Sequence, residues 1–527
     1  MAYAQAILSD LISHPTARLL LILAPFAIAI LYRLFLHPLS HVPGPLPARI
    51  TSLYLFTICY LGIECRLIEH YHRKYKTSVL RIAPNTVSIS DGAALHPIYV
   101  AGGGFPKATR YENFKVGGVH TIFSSRDVAY RDVRAKAVAP IFAMGRVRAA
   151  GDEAGIVGEC VSKFVERFKS EKTNAMMLEP EAARTDVLAL TYRLTMDSVT
   201  GYLFNRTYGA LDEQPLSSLP AGACSSAASK ISEMSALPFI YAILEAGRFS
   251  LLPNWLFGTV NFMLRWLIPD PEFKKSFSRV HNFATCITND VDLEKDDTYQ
   301  SRLLAAGISK PETIVQCMAA MFAGTDSTAV KLVTIIFHLV KNPSVHERLK
   351  QELRVSGKNQ TADLLTMPYL RAIVREGLRL GMANPARFSR VVPPGGFEID
   401  GTYIPGETDV GMAPYVLHHN PELFPKPFEY HPDRWLDGDN AGQTWSEAQK
   451  RKMERDLIPF SIGSRACIAR NFATYVLFVA TKAIVESDVL EGARTCTETI
   501  ELEEYFNVQI KDHKLEIEWS PYHPIQE

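Results

Sequence analysis

The stretch PFSIGSRACIAR (residues 459–470) sets one thiol, Cys467, between a glycine-bearing loop and an apolar run of helical character. A cysteine in that setting can be a small buried hydrophobe, a nucleophile or a thiolate ligand to a metal. A thiolate needs its charge stabilised, and loop amides, a helix N-terminus and the neighbouring Arg465 all contribute. Gly463 lets the backbone turn sharply within the loop. Zinc would call for further Cys or His ligands close by, and the sequence around Cys467 has none. A cysteine protease would need His and Asn or Asp partners, which can come from any part of the fold.

Two further constellations lie upstream. AGTDST (323–328) places a glycine and four polar side chains inside an otherwise apolar segment, Glu312 to Val340. Buried polar groups need partners or a purpose. The plain alternative is a kink satisfied by Ser and Thr bonding back to the preceding turn. In MPYLRAIVREGLRLGM (367–382), Glu376 and Arg379 stand three apart on one helix face. Glu181/Arg184, Glu245/Arg248 and Glu491/Arg494 repeat that spacing, so a solvated pair is the ordinary reading. Arg434, in the proline-bounded loop FEYHPDRWL (428–436), offers a third charge that would turn the pair into a buried network.

These residues need a scaffold, and most of the chain reads as helix. Glu312–Val340 ends at Asn342-Pro343, a natural stop. As a membrane span it would carry Asp326 and Lys331 deep in lipid at about 2.5–3.5 kcal/mol each, so a helix through the protein core is expected. Pro368 opens the helix that bears Glu376. SVLRIAPNTVSIS (78–90) alternates as strand–turn–strand, and GFEIDGTYIPGETDV (396–410) reads as a second β region with Asp400-Gly401 as its hairpin turn. Near the N-terminus, LLLILAPFAIAILY (19–32) carries no charge, with Arg18 and Arg33 able to snorkel at its ends. No small-residue cleavage site follows, and basic residues recur after the run (Arg33, Arg49, Arg66). An uncleaved anchor with its C-terminal side in the cytosol is expected, against a buried or interfacial helix. Pro38, Pro43, Pro45 and Pro47 then make a stiff connector. The division expected is 1–36 anchor, 37–50 hinge and 51–527 catalytic body.

Bulk composition agrees with a folded body. The 527 residues are 47% hydrophobic, enough to bury a sizeable core, and strands at both ends of the helical region argue for one large mixed domain. Lys+Arg and Asp+Glu balance at 56 each, which gives no argument for nucleic acid. The 8 cysteines, Cys224 among them, are scattered without metal spacing, so a reducing compartment is expected.

Order joins the constellations: A-G-x-D-S-T, then E-x-x-R, then P-x-R-W, then F-x-x-G-x-R-x-C. This succession resembles the cytochrome P450 family from the N-terminal anchor almost to the C-terminus. The proline connector and RIAPNTVSISD are most similar to membrane-bound enzymes of fungal secondary metabolism. The resemblance implies a mainly α fold with small β-sheets, preceded by a single membrane-anchor helix. It implies Cys467 as the thiolate ligand of haem b iron, Phe460 near the sulfur and Gly463 at the turn. Arg465 and Arg390 match arginines that reach the haem propionates, and Ala323 and Gly324 would lie over the haem. Asp326 and Ser327 match the acid–alcohol pair that handles protons for dioxygen. Glu376, Arg379 and Arg434 match a structural triad.

Three positions depart from the family pattern. Ser327 stands where threonine is usual, with Thr328 as a substitute hydroxyl. Ala469 stands where glycine is preferred, and Arg131, Arg134 and Lys136 crowd one propionate-binding position. The implied activity is a monooxygenase that inserts one oxygen atom from O2 into a lipophilic molecule (terpenoid, polyketide or alkaloid). No flavin or nicotinamide fingerprint occurs, so electrons would come from NADPH through an endoplasmic-reticulum reductase, which KRKMER (450–455) would meet unless it is a solvated helix face. A haem-thiolate isomerase or dehydratase, or a non-catalytic haem-binding membrane protein, are the alternatives.

Overall fold

The computed structural model describes residues 15–177, 184–213, 234–356, 363–436 and 445–519. Glu181, Cys224 and the first 14 residues of the expected anchor lie outside them. The helices that carry the site are α1 (Pro15–Leu31), α2 (Val128–Val138), α3 (Ile156–Met177), α4 (Val187–Phe204), α5 (Asn254–Leu267), α6 (Pro271–Asn289), α7 (Lys310–Lys341), α8 (Pro368–Leu380) and α9 (Arg470–Glu486).

Helix α7 is the spine. Pro311 stands in its first turn with Glu312, and His338 and Lys341 face the negative end of its dipole. Between these ends Ala329–Phe337 is buried on every side, and α4, α6, α8 and α9 pack around it. Helix α4 is buried over nearly its whole length and makes the most extensive contact with α7. A helix apolar all round belongs inside a protein core, and that is where α7 lies. The AGTDST segment does not interrupt it: the helix runs unbroken through residues 323–328.

The strands form small sheets at the rim. β1 (Val79–Ala83) and β2 (Thr86–Ile89) are the expected hairpin, and they join β7 (Asp409–Gly411) and β4 (Arg390–Val391) in the order β1-β2-β7-β4. β5 (Phe397–Ile399) and β6 (Thr402–Ile404) pair through Asp400 and Gly401, both at positive φ (49° and 66°), as a tight hairpin turn requires. Elsewhere β3 (Arg184–Asp186), β11 (Glu516–Trp519) and β8 (Ala493–Thr495) form one sheet, and β9 (Leu502–Glu504) with β10 (Val508–Ile510) another. The four-stranded sheet carries Arg390 to the edge of the helical core.

The N-terminal segment differs from all of this. Residues Arg18–Leu36 are strongly apolar (mean hydropathy 2.4), and Leu20, Phe26, Ile28 and Phe35 are all exposed. Nineteen helical residues reach about 28 Å, close to the roughly 30 Å of a bilayer's hydrocarbon core. The proline connector then docks on β1. Buried Arg81 donates to the Arg33 and Leu39 carbonyls (2.9 and 3.2 Å) and, through its backbone N–H, to Pro43 O (2.8 Å). Gly44 lies so close that a Cβ there would sit 2.0 Å from Arg81 O.

Candidate active site

The loop before α9 is built around two backbone constraints. Gly463 has φ +74°, and a Cβ on it would meet the Tyr99 carbonyl oxygen at 1.9 Å, so no other residue fits. The Cys467 N–H donates to Phe460 O at 2.9 Å, closing the loop and turning the thiol to one side. Cys467 lies three residues before α9, and its side chain keeps accessible surface. Burial is nevertheless the main cause that raises its thiol pKa, which describes a sulfur lining a concave interior face. The Ala469 N–H, Lys331 and Arg470 act the other way and favour the thiolate. Ala469 has φ −91°, a conformation that needs no glycine.

Along α7 the expected residues divide between faces. Ala323 is exposed and Ser327 half-exposed, whereas from Thr328 to Phe337 every residue of the helix is buried. Ser327 Oγ donates to Ala323 O at 2.7 Å, and one turn on, Lys331 Nζ donates to Ser327 O at 2.9 Å. A side chain on Gly324 would point elsewhere, to within 2.7 Å of Val199 Cγ2 on α4, so this glycine permits the close approach of two helices. Thr328 is buried, away from the Ser327 face.

Asp326 is fully buried. Its Oδ1 accepts from Tyr192 Oη of α4 at 2.9 Å, while Oδ2 makes no hydrogen bond. Burial pushes its carboxyl up to about 6, against the Tyr192 hydroxyl, the nearby Asn507 side chain and Lys331, which all favour the carboxylate.

A cluster of cations lies beside the cysteine loop. Arg390 (3% exposed) and Lys107 (6%) come together where the chain at Lys107 bridges β4. Burial lowers the Lys107 pKa far below its usual value, and repulsion from Arg390, Arg465 and Arg131 adds to it. Arg465 is likewise lowered by burial, then by Arg131 and Arg390. It donates only to the Ser125 and Arg126 carbonyls, at 3.2 and 3.4 Å. Among the described residues, Lys107, Arg390 and Arg465 enter no ion pair, and Asp132 on Arg131 (3.0 Å) is the carboxylate bonded to the group. Buried cations so placed call for an anion. A ligand bearing carboxylates fits them, and Arg465 belongs to the same loop as Cys467, a residue able to hold a metal-bearing one.

The three basic residues of α2 go to different places. Arg134 is engaged by Glu312 of α7 and the Tyr130 carbonyl, and Lys136 is exposed. Arg131 is the one that faces the cation cluster. Lys107 and Tyr192 were not singled out from the sequence. Neither has a local signal, because each reaches the site across more than 100 residues of chain.

A separate network surrounds Glu376. Arg379 grips the carboxylate with Nε and Nη2 (3.0 and 2.8 Å), and Arg434 Nε adds a bond of 3.1 Å. Trp435 Nε1 (2.8 Å) and the His431 N–H (3.0 Å) complete five donors to two oxygens. Arg379 spends its other donors on the His418, Pro427 and Glu429 carbonyls. Burial opposes ionisation of Glu376, but Arg379, Arg434 and the His431 amide outweigh it and hold the carboxyl at about 2.

The model of the cytochrome P450 family matches residues 66–515. Cytochrome P450 monooxygenase mfmF of Annulohypoxylon moriforme is 46% identical over 504 residues, covering 94% of this chain and 97% of its own. Cytochrome P450 monooxygenase aneF of Aspergillus aculeatus is 28% identical over 84% of this chain and 87% of its own. For oblB of Aspergillus clavatus, another cytochrome P450 monooxygenase, identity is 29% with 84% of both chains covered. The helical body with small sheets, the cysteine loop and these matches over most of the chain lead to one conclusion: the protein belongs to the cytochrome P450 family and is a monooxygenase of that family.

Proposed function

We propose that the enzyme inserts one oxygen atom from O2 into a lipophilic small molecule of a fungal secondary-metabolic pathway, at a haem b whose iron Cys467 ligates. The observation that carries this reading is a group of cations, Lys107 and Arg390 buried and Arg131 and Arg465 half-buried, short of carboxylates and gathered about the loop that bears the accessible Cys467. Two propionates would satisfy those cations. When bound, haem with a thiolate ligand supplies activation of dioxygen.

The chain's own residues do the rest. Gly463 and the Phe460 carbonyl hold the Cys467 loop in one shape. Ser327 Oγ, which donates to Ala323 O, holds a proton at the accessible face of α7. Asp326 exchanges one at Oδ2, the oxygen left without a hydrogen bond, while Tyr192 fixes Oδ1. Met382, Ala383 and Pro385, buried, and Phe388, half-buried, give the segment after α8 an apolar character suited to a lipophilic substrate and to exclusion of water.

Electrons come from NADPH through a membrane-bound reductase. In KRKMER, Arg455 is tied to Asp456 and Lys450 to Glu447, which leaves the exposed Arg451 and Lys452 to meet an acidic partner. The apolar Arg18–Leu36 helix anchors the enzyme in the endoplasmic-reticulum membrane with its body in the cytosol.

The test is the ferrous, carbon-monoxide-bound absorption spectrum of the full-length protein. A strongly red-shifted Soret band that Cys467→Ser abolishes is the expected result. A haem band at the neutral-ligand position in the unaltered protein would defeat the assignment of Cys467. Substrate-stimulated NADPH consumption with a reductase then separates a monooxygenase from a haem-thiolate isomerase, which needs no external electrons.

A further inference from the structure

Lys331 is 3% exposed in the most apolar stretch of α7, between Val330 and Leu332. A leucine or methionine would fill the place without the several kcal/mol that taking an ammonium out of water costs. Its Nζ bonds to the Ser327 carbonyl at 2.9 Å and lies 5.6 Å from the centre of the Phe460 ring. Phe460 is the residue whose carbonyl binds the Cys467 N–H. Among the described residues no carboxylate comes within ion-pair distance of Lys331.

Two acidic groups raise its pKa electrostatically, first Cys467 and then Asp326. Helix geometry separates them. Ser327 and Lys331, four apart, share one face, whereas Asp326, five before Lys331, points about 140° away and is bound to Tyr192. Lys331 therefore belongs to the Cys467 side. Burial lowers its pKa to about 8 and Cys467 and Asp326 oppose that, so the ammonium persists at neutral pH.

We propose that Lys331 is a positioning residue that sets a buried positive charge against the Cys467 loop, weakening the thiolate as an electron donor and making the bound iron easier to reduce. The inference rests on the haem-thiolate reading above. In the step concerned one electron enters from the reductase, no bond breaks, and the iron–thiolate unit becomes more negative by one charge. A fixed cation in a low-dielectric surround stabilises that product. No other buried lysine among the described residues is coupled to Cys467 in this way.

The experiment is a redox titration of the full-length holoenzyme at pH 7 with dithionite, comparing wild type, Lys331→Met and Lys331→Arg. Expected is a midpoint potential shifted to more negative values in Lys331→Met and largely retained in Lys331→Arg. The red-shifted ferrous–CO band should persist in both, and thermal stability of the Met variant should be unchanged or higher. A packing role would lower stability and leave the potential alone. Should Lys331→Met not hold haem, Lys331→Gln is read in the same way. An unchanged potential in the neutral variant, with the red-shifted band present, overturns this inference alone. A looser coupling of NADPH to product at constant potential would also overturn it, because it would assign Lys331 to Asp326. Absence of the band in wild type would overturn the reading of Cys467, and this inference with it.

Discussion

Asp326 and Tyr192 meet through one hydrogen bond of 2.9 Å in the interior, and that bond holds down a carboxyl pKa that burial still leaves raised, at about 6. Tyr192→Phe removes the donor and leaves the ring. The Asp326 pKa should then rise further, so that at pH 6.5 a larger fraction is protonated than in the wild type. Infrared absorption of the protonated carboxyl group, with Asp326→Asn as the blank, measures this directly. On the proposed mechanism the same variant should release more peroxide per NADPH consumed. Ser327 in place of the family's usual threonine keeps the bond to Ala323 O and lacks the methyl that restricts its rotation. Thr328 is a poor substitute because it is buried on another face.

At the scale of elements, the Glu376 network joins α8 to the 3₁₀ turn Pro432–Trp435. All five donors to its carboxylate come from within those elements or next to them, so both carboxylate oxygens are satisfied without help from solvent. Glu376→Gln would leave two arginines buried without a counter-charge. The expected loss is about 3–5 kcal/mol of stability, read as a lower denaturant midpoint. The pH dependence has a definite sign. The folded carboxyl titrates at about 2, below its unfolded value of about 4.3, so its contribution is complete above the unfolded value. It is lost as the pH falls from there towards 2. Acid titration of wild type against Glu376→Gln should show the difference in stability between them shrinking over that range.

At the scale of the whole molecule, the exposed apolar surface of the described residues is concentrated in two places. One is the Arg18–Leu36 helix, and the other is α5, where Trp255 (72% exposed), Phe262 (72%) and Trp266 (74%) face outward. Exposed aromatics grouped in this way mark an interaction surface, and on the proposed reading, in which the Arg18–Leu36 helix enters a membrane, the partner is lipid. Deleting residues 1–36 should leave binding to phospholipid vesicles that resists high salt, measured by co-sedimentation. Adding Trp255→Ser, Phe262→Ser and Trp266→Ser to the deletion should release the protein from the vesicles. Retention of the quadruply altered protein would place the contact elsewhere.

What the sequence alone determined is whatever depends on neighbours along the chain. The Cys467 loop, the α7 spine, the strand–turn–strand at 78–90 and the Asp400-Gly401 hairpin were legible because spacing, turn residues and helical period are local. Glu376 and Arg379 were legible as a pair for the same reason, yet three other pairs share their spacing. Only the fold distinguishes them, by bringing Trp435 and the His431 amide to the same carboxylate. Tertiary structure alone decided that Arg131 joins the cation cluster while Arg134 goes to Glu312, and that Lys107 and Tyr192 belong to the site. It decided too that Gly324 serves the packing of α4, and that a lysine inside an apolar helix faces the cysteine loop. The physical reason is common to all of these. Charges and hydroxyls acquire their roles from what surrounds them in a low-dielectric interior, and those surroundings come from residues far apart in the chain.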